Sequence, residues 1–272
     1  MRRIQPYIER GARVLTRTHE RAKTPRTLSD QAGSDDLETS AGRLNALRVG
    51  MPVCTTYLEV GVQQGLTLER VEVPFRWGVD PFPSFNPAKL PQGVRFSQQE
   101  SDQFFAELEP QSRFDLVFLD GLHEWRQTYR DLLNALNHTP RHGLILIDDV
   151  VPDDEFAALP VLRLAMEAKA SAGITTGNWQ GNVFKIILAL RDRHPELEYR
   201  VIGAEYESAQ AIVWKRPGQP RQYQADRVFE ASDPYESVSY ADVFPQRRIP
   251  PYFNPADTVS GIAAALAASQ TE

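Results

Sequence analysis

The chain has 272 residues, of which 42% are hydrophobic and 24% charged, so it can form one substantial α/β core with extensions. No stretch reaches the roughly 18 apolar residues that span a bilayer, and the amino terminus lacks an apolar signal segment, so we expect a cytoplasmic protein without a membrane contact. The net charge of −6 argues against a nucleic-acid-binding protein, and the single cysteine, Cys54, excludes an internal disulfide or a thiolate zinc cluster.

The first part of the chain is basic and the rest is acidic. Residues 1–33 contain eight Lys or Arg against three acids, a balance of +5, so the remaining chain carries −11. Residues 24–36 are polar and rich in turn formers. We therefore predict that residues 1–36 form a basic flexible arm and linker, which stays solvated, contacts a polyanion or pairs with a second subunit.

Strands and helices are predicted to alternate after this linker. Leu37, Ala41, Leu44 and Arg48 share one side of a predicted helix, with Asp35 or Asp36 as its N-cap. β-rich runs predict strands at residues 55–62, 76–82, 93–98, 114–121, 142–150, 198–206 and 209–216. Between the fourth and fifth strands, apolar residues at helical spacing predict a helix packed on the sheet: Trp125, Tyr129, Leu132, Leu133 and Leu136. A further helix is predicted at residues 182–193.

This order of elements predicts the fold class. Continuous apolar strands alternating with helices indicate a parallel sheet covered on both faces. The last two strands are separated by few residues and are expected to form an antiparallel hairpin at the sheet edge. The sequence thus predicts a doubly wound, Rossmann-like α/β fold with a seven-stranded sheet, mostly parallel with an antiparallel closing hairpin.

Acidic residues follow the predicted strands where a ligand site is expected. They are Glu59, Asp80, Asp120, Asp148 and Asp149. In an open α/β sheet, ligands bind beyond the carboxyl ends of the strands, near the point where the strand order reverses. The clustering therefore favours a functional site at this edge.

The first strand is followed by two glycines. Gly61 and Gly65 in "EVGVQQG" allow the backbone to approach a ligand closely. Asp80 lies about twenty residues further on, where an acid can bind ribose hydroxyls. The spacing is not G-x-G-x-x-G, so an NAD-type pyrophosphate site is disfavoured.

Several motifs together resemble a known family. They are "YLEVGVQQGLT", "WGVDPF", "FDLVFLDGLHEWRQTYRDLLNALNHTPRHGLILIDDVVP" and the closing hairpin. This pattern is similar to the class I S-adenosylmethionine-dependent methyltransferases, especially small bacterial enzymes that O-methylate sugars and other natural-product hydroxyls, some with bound Mg²⁺. The resemblance covers about residues 55–216. It implies a methyltransferase acting on a small-molecule or carbohydrate acceptor.

The resemblance also implies a cofactor site for S-adenosylmethionine. Glu59 and Gly61 would line its methionine end, and Asp80 would accept both ribose hydroxyls. Ser97 and Gln98 would lie near the adenine. The residues expected to bind the cofactor also include Gly65 and Asp120.

In metal-dependent members of this family, the acids after the fourth and fifth strands hold the ion. These positions are Asp120, Asp148 and Asp149, whose oxygens suit Mg²⁺. Such an ion would lower the pKa of the acceptor hydroxyl, and Asp120 thereby has a catalytic role. A second aspartate that can serve as general base in these relatives is replaced by Leu122, and His123 is the available substitute.

Some alternatives remain open from the sequence alone. Adjacent residues of a strand point to opposite faces, so Asp148 and Asp149 converge only if the chain bends; otherwise Asp149 caps the next segment. His123 is either a base, a cap or a residue of the cofactor pocket. Trp125 is expected to belong to the core, and Trp179, in a Gly-rich loop before a helix, is a candidate for lining the acceptor pocket. The insertion at residues 151–180 is expected to lie over the site and to act as a lid or as an acceptor-recognition element.

The domain division follows from these elements. Residues 37–216 form the predicted methyltransferase domain, and residues 217–272 a C-terminal extension. Its last helix has an apolar side, formed by Val259, Ile262, Ala263 and Leu266, that packs on its own sheet or in a homodimer, which we favour. The competing functions are a metal-dependent nucleotide-sugar glycosyltransferase and a non-catalytic protein that binds S-adenosylmethionine.

Overall fold

A computed structural model describes residues 37–244 except 38, 52, 204–208, 219–221 and 226–232, together with residues 258, 261 and 262. Its strands are β1 (Thr56–Val60), β2 (Phe75–Val79), β3 (Val94–Ser97), β4 (Leu116–Leu119), β5 (Leu144–Val151), β6 (Leu197–Ile202) and β7 (Ala209–Lys215). Its α-helices are α1 (Ser40–Gly50), α2 (Leu66–Arg70), α3 (Ser101–Glu107), α4 (Trp125–His138), α5 (Leu162–Ser171), α6 (Lys185–Arg193) and α7 (Tyr240–Val243). None of these helices combines the length and apolar character that crossing a membrane requires.

The seven strands form one sheet in the order β3-β2-β1-β4-β5-β7-β6. Neighbours among β1 to β5 are parallel, whereas β7 pairs antiparallel with both β5 and β6. The predicted doubly wound α/β fold and its closing hairpin are therefore confirmed. The strand order reverses between β1 and β4, which places the carboxyl ends of both strands at the centre of the ligand-binding edge.

The core consists of two apolar layers, one on each face of the sheet. One layer joins alternate strand residues such as Leu58 and Ile145 to α4 and α6. The other joins Tyr57 and Leu146 to α1 and α2. All five residues of the predicted apolar stripe on α4 are buried, because that face packs on the sheet.

The first described helix differs from its prediction. α1 begins at Ser40, and its N-cap is Thr39, whose hydroxyl oxygen accepts a hydrogen bond from Gly42 N at 3.1 Å. The predicted cap at Asp35 or Asp36 was wrong, and Leu37 lies before the helix. A polar contact connects α1 to β7, since the buried Arg43 donates to Gln210 Oε1 at 2.9 Å.

The described part of the C-terminal extension packs on its own chain. Tyr223, Tyr235 and Val243 are buried in the layer that contains α4 and α6. Both terminal nitrogens of Arg193 donate to the Asp233 carboxylate at 2.8 Å. Of the predicted apolar helix side, Ile262 is buried in the opposite layer, and the other three residues lie outside the described part of the chain.

The stability of the fold should depend on the face of α4 that is buried. Leu132→Ala removes a fully buried side chain and should lower the free energy of unfolding by about 2–4 kcal/mol. Leu164→Ala on α5, whose side chain is exposed, should change it by less than about 0.5 kcal/mol. Denaturant unfolding of both variants makes this comparison, and equal losses would contradict the described packing.

Candidate active site

The loops after β1 and β4 cross closely at the point where the strand order reverses. Gly61 has a φ of +86°, and a Cβ atom placed there would lie 1.9 Å from the backbone oxygen of Asp120. Glycine is therefore required because the two loops are in contact. From the sequence this glycine was predicted to allow the approach of a ligand, and the structure gives it a second and stricter reason.

Asp80 organises the neighbouring loops through both of its carboxylate oxygens. Oδ2 accepts a hydrogen bond from Gln63 N at 2.8 Å, and Oδ1 accepts one from Phe82 N at 2.6 Å. Each oxygen retains a further lone pair, so the carboxylate can also accept from two ligand hydroxyls. Gly65, with a φ of +77°, ends the same loop as the N-cap residue of α2.

The residues predicted to lie near the adenine are found at the end of β3. Ser97 Oγ accepts a hydrogen bond from Trp77 Nε1 at 2.9 Å, and Gln98 Nε2 donates to Pro81 O at 3.4 Å. These contacts connect the ends of β2 and β3. The structure therefore brings Asp80, Ser97 and Gln98 to one side of the crossing.

Glu59 is almost fully buried beneath this edge. It is 2% exposed, and Oε2 accepts a hydrogen bond from the Tyr57 hydroxyl at 2.6 Å. Burial raises the pKa of Glu59 to about 8, although the hydrogen bond from Tyr57 acts in the opposite direction. Near neutral pH its carboxyl group is therefore largely protonated.

His123 lies between two carboxylates on the other side of the crossing. Its Nε2 is 3.3 Å from Asp120 Oδ1, and its Nδ1 is 3.0 Å from Asp149 Oδ2. Burial alone would lower the pKa of His123, but the carboxylates of Asp149 and Asp120 raise it well above its usual value. The ordinary pKa of about 6.5, on which the sequence-based assignment of a base rested, does not apply here. The difference arises because both ring nitrogens face an acid.

The two acids of β5 line the same small recess because the strand bends between them. The pairing of β5 with β7 changes register between Ile147 and Val151, and Asp149 has a φ of +58°. This bend turns the Asp149 carboxylate towards His123. Asp148 Oδ1 accepts a hydrogen bond from Asp149 N at 2.8 Å, and burial raises the pKa of Asp148 well above its usual value.

Three side chains of this edge could hold a divalent cation. Asp120, His123 and Asp149 each offer a ligand atom, and these atoms lie within 4.8 Å of one another. The predicted set also contained Asp148, which lines the same small recess but lies outside this trio. Two carboxylates fit Mg²⁺, whereas an imidazole nitrogen better suits an ion such as Mn²⁺ or Zn²⁺. The donor chemistry therefore fits a divalent ion, provided that His123 loses its proton.

The Gly-rich loop that contains Trp179 was singled out from the sequence, but its contact with His123 was not predicted. Trp179 stacks on the imidazole with ring centroids 5.0 Å apart, and its backbone oxygen lies 3.0 Å from His123 Nδ1. Asn182 N donates to His123 O at 3.3 Å. The repeated Gly-Asn pairs at 177–178 and 181–182 were the available signal, since such pairs mark tight turns.

Comparison with known families supports the class that this fold and site define. Residues 58–150 match a family model described as a methyltransferase domain. The matched segment runs from β1 into β5 and contains every predicted site residue. Together with the strand order, it confirms the resemblance to the class I S-adenosylmethionine-dependent methyltransferases.

Several solved structures are similar to this chain at low identity. An O-methyltransferase from Bacillus cereus in complex with SAH has 14% identity and a TM-score of 0.45, with 79% of this chain and 93% of that chain covered. The O-methyltransferase TomG from Streptomyces achromogenes, involved in tomaymycin synthesis and in complex with SAM, has 12% identity and a TM-score of 0.44, with 75% and 88% covered. The N-methyltransferase NodS from Bradyrhizobium japonicum has 14% identity and a TM-score of 0.40, with 65% and 93% covered. Comparison with curated protein sequences gives no match.

The buried Glu59 should make the stability of the fold depend on pH. Its pKa rises from 4.5 to about 8 on folding, so between these values the folded state binds more protons than the unfolded state. Stability should therefore fall as pH rises through this range. Glu59→Gln should exceed the wild type by about 4 kcal/mol at pH 8.5 and by less than about 1 kcal/mol at pH 5.

Denaturant unfolding at the two pH values measures this difference. Glu69→Gln, which changes an exposed glutamate on α2, serves as the matched control and should leave the pH dependence unchanged. A Glu59→Gln effect of the same size at both pH values would show that Glu59 ionises normally in the folded protein.

Proposed function

We propose that this protein is an S-adenosylmethionine-dependent methyltransferase that O-methylates a hydroxyl group of a small-molecule, carbohydrate or natural-product acceptor. The proposal rests on two sets of polar residues, one on each side of the point where the loops that contain Gly61 and Asp120 cross. Asp80 with Ser97 and Gln98 lies on one side, and His123 with its two acids lies on the other. A nucleoside-binding side and a proton-accepting side are thus adjacent.

The cofactor is proposed to lie along the ends of β1, β2 and β3. Asp80 binds the ribose hydroxyls, Ser97 and Gln98 lie near the adenine, and the loop containing Gly61 and Gly65 borders the methionine end. S-adenosylmethionine carries two positive groups, an ammonium and a sulfonium. The carboxylate of Asp120 gives this part of the site a complementary charge, and the buried Glu59 can lose its proton when these positive groups lie beside it.

When bound, S-adenosylmethionine supplies a methyl group on a sulfonium sulfur that departs as a neutral thioether. The acceptor oxygen bonds to the methyl carbon while the carbon–sulfur bond breaks, so the protein mainly has to align the two reactants. His123 receives the hydroxyl proton at Nε2, because its Nδ1 faces the backbone oxygen of Trp179, which can only accept. A positive charge beside His123 lowers its pKa again and favours the neutral imidazole.

The proposal also includes a divalent metal ion at this site. Bound by Asp120 and Asp149, with Asp148 bordering the recess, it would supply a Lewis acid that lowers the pKa of the acceptor hydroxyl. His123 then acts either as a ligand or as the base, since one imidazole nitrogen cannot do both at once. The methyltransferase-domain match over residues 58–150 favours this function over a glycosyltransferase, and the paired His123 favours catalysis over cofactor binding alone.

Three further expectations remain predictions. They are a cytoplasmic location, a homodimer, and the division into an arm, a methyltransferase domain and a C-terminal extension. The burial of Ile262 against its own sheet supports internal packing of the last helix. Analytical ultracentrifugation of the full chain measures the oligomeric state.

Cofactor binding should depend on Asp80. Asp80→Ala removes both proposed ribose contacts and should weaken the binding of S-adenosylmethionine by about 10- to 100-fold, since hydrogen bonds to charged groups contribute about 1.5–3 kcal/mol. Isothermal titration calorimetry with S-adenosylmethionine measures this change. Glu107→Gln, an exposed acid at the end of α3, is the control and should bind as the wild type does. Unchanged affinity in Asp80→Ala would mean that the pocket lies elsewhere.

Metal binding should reveal the role of the imidazole. If Asp120, His123 and Asp149 form the site, Mn²⁺ should bind several-fold more tightly than Mg²⁺, because a nitrogen ligand favours it. Asp149→Asn should weaken Mn²⁺ binding at least about tenfold, by analogy with the loss of other charged ligands. Calorimetry with MnCl₂ and MgCl₂ measures both effects, with Glu107→Gln as control. If neither ion binds measurably, the metal part of the proposal is refuted, and His123 acts as the base without a metal ion.

A further inference from the structure

The insertion between β5 and α6 is held together by its own polar contacts. Lys169 on α5 is 1% exposed, and its Nζ donates to Asn178 O at 2.8 Å and lies 3.3 Å from Asp154 Oδ2. Trp179 Nε1 donates to Leu159 O at 2.6 Å. Burial of an ammonium group costs free energy unless the group is paired, so Lys169 needs these contacts. They connect α5 and the segments before and after it, and the insertion is therefore one ordered unit.

The end of this insertion encloses His123 on three sides. The indole of Trp179 covers one face of the imidazole at an interplanar angle of 21°, and the Trp179 backbone oxygen faces Nδ1. The backbone N–H of Asn182 donates a hydrogen bond to His123 O, and Oδ1 of Asn182 accepts one from Trp125 N at 2.7 Å. The same loop therefore holds both His123 and Trp125, the residues on either side of Glu124.

His123 needs this support because its backbone is strained. Its φ of +54° lies in the left-handed region, which costs a non-glycine residue about 1–3 kcal/mol unless its surroundings compensate. Gly181 has a φ of +63° and lies so close that an added Cβ atom would be 1.9 Å from His123 O. The position of His123 and the path of the insertion are thus mutually dependent.

We propose that Trp179, Gly181 and Asn182 are positioning residues that hold His123 in a strained conformation, with Nδ1 facing Trp179 O and Nε2 directed to the side of the site that contains Asp120. This inference rests on the proposed function, since it assigns these residues to the same catalytic base. It also gives the insertion a second role, because the segment expected to cover the acceptor sets the direction in which the base points.

The chain offers a matched pair of glycine substitutions for the test. Gly181→Ala forces a Cβ atom against the His123 backbone, whereas a Cβ atom at Gly177 in the same loop meets nothing within 4 Å. NMR of the histidine ring C–H groups reports the position of the imidazole, because stacking on an indole shifts these resonances upfield. The protein has five histidines, so those of His123 are assigned by their loss in His123→Asn.

We expect Gly181→Ala to move the His123 resonances towards unstacked values and Gly177→Ala to leave them unchanged. With the acceptor that the wild type methylates, Gly181→Ala should lower kcat about 10- to 100-fold, as small misplacements of a reacting group do, while KM for S-adenosylmethionine changes less than about twofold. Identical resonances and kcat in the two glycine variants would overturn the proposal.

A second pair of variants covers the case in which Gly181→Ala does not fold, as judged by thermal unfolding. Trp179→Ala removes the stacking plane and should lower kcat at least about tenfold, whereas Trp179→Phe retains a ring and should recover most of it. Equal kcat in these two variants would also overturn the proposal. Failure of the wild type to bind S-adenosylmethionine in calorimetry would instead refute the proposed function, whatever the His123 resonances show.

Discussion

The site depends on one contact, in which the imidazole of His123 lies between the carboxylates of Asp120 and Asp149. The parallel order of β1, β4 and β5 brings acidic residues to one edge, where burial raises the pKa of Asp120 and Asp148. Carboxylates so close together repel one another unless a positive group lies between them. His123 supplies that group in this structure. A sulfonium cofactor or a divalent ion would compete for the same acids.

Backbone strain is concentrated at the same edge. Among the described residues, three non-glycine residues have a positive φ: Gln63, His123 and Asp149. They lie after β1, after β4 and within the irregular part of β5, and each makes a contact of the site. Gln63 N donates to Asp80, and His123 contacts Asp149. Strain of this kind persists only where surrounding contacts compensate for it, which is typical of functional sites.

Much of this site could be predicted from the chain because its residues adjoin the strands. The apolar runs that end in acidic residues predicted correctly that Asp80 and Asp120 follow their strands. The apolar stripe on α4 predicted correctly which face of that helix is buried. The adjacent acids of β5 were harder, since strand alternation places Asp148 and Asp149 on opposite faces. Only the register change after Ile147 turns Asp149 to His123. The N-cap at Thr39 was missed because several acceptors compete within a few residues.

The sequence by itself determined the class of fold, the edge that carries the site and the residue types available there, because periodicity and turn residues are local properties of the chain. The tertiary structure decided which of these residues meet. Trp179 lies 56 residues from His123 along the chain, and Asp149 lies 26 residues from it, so no local pattern encodes their contact. That contact exists only because β4 and β5 pair side by side and the insertion returns over both strands.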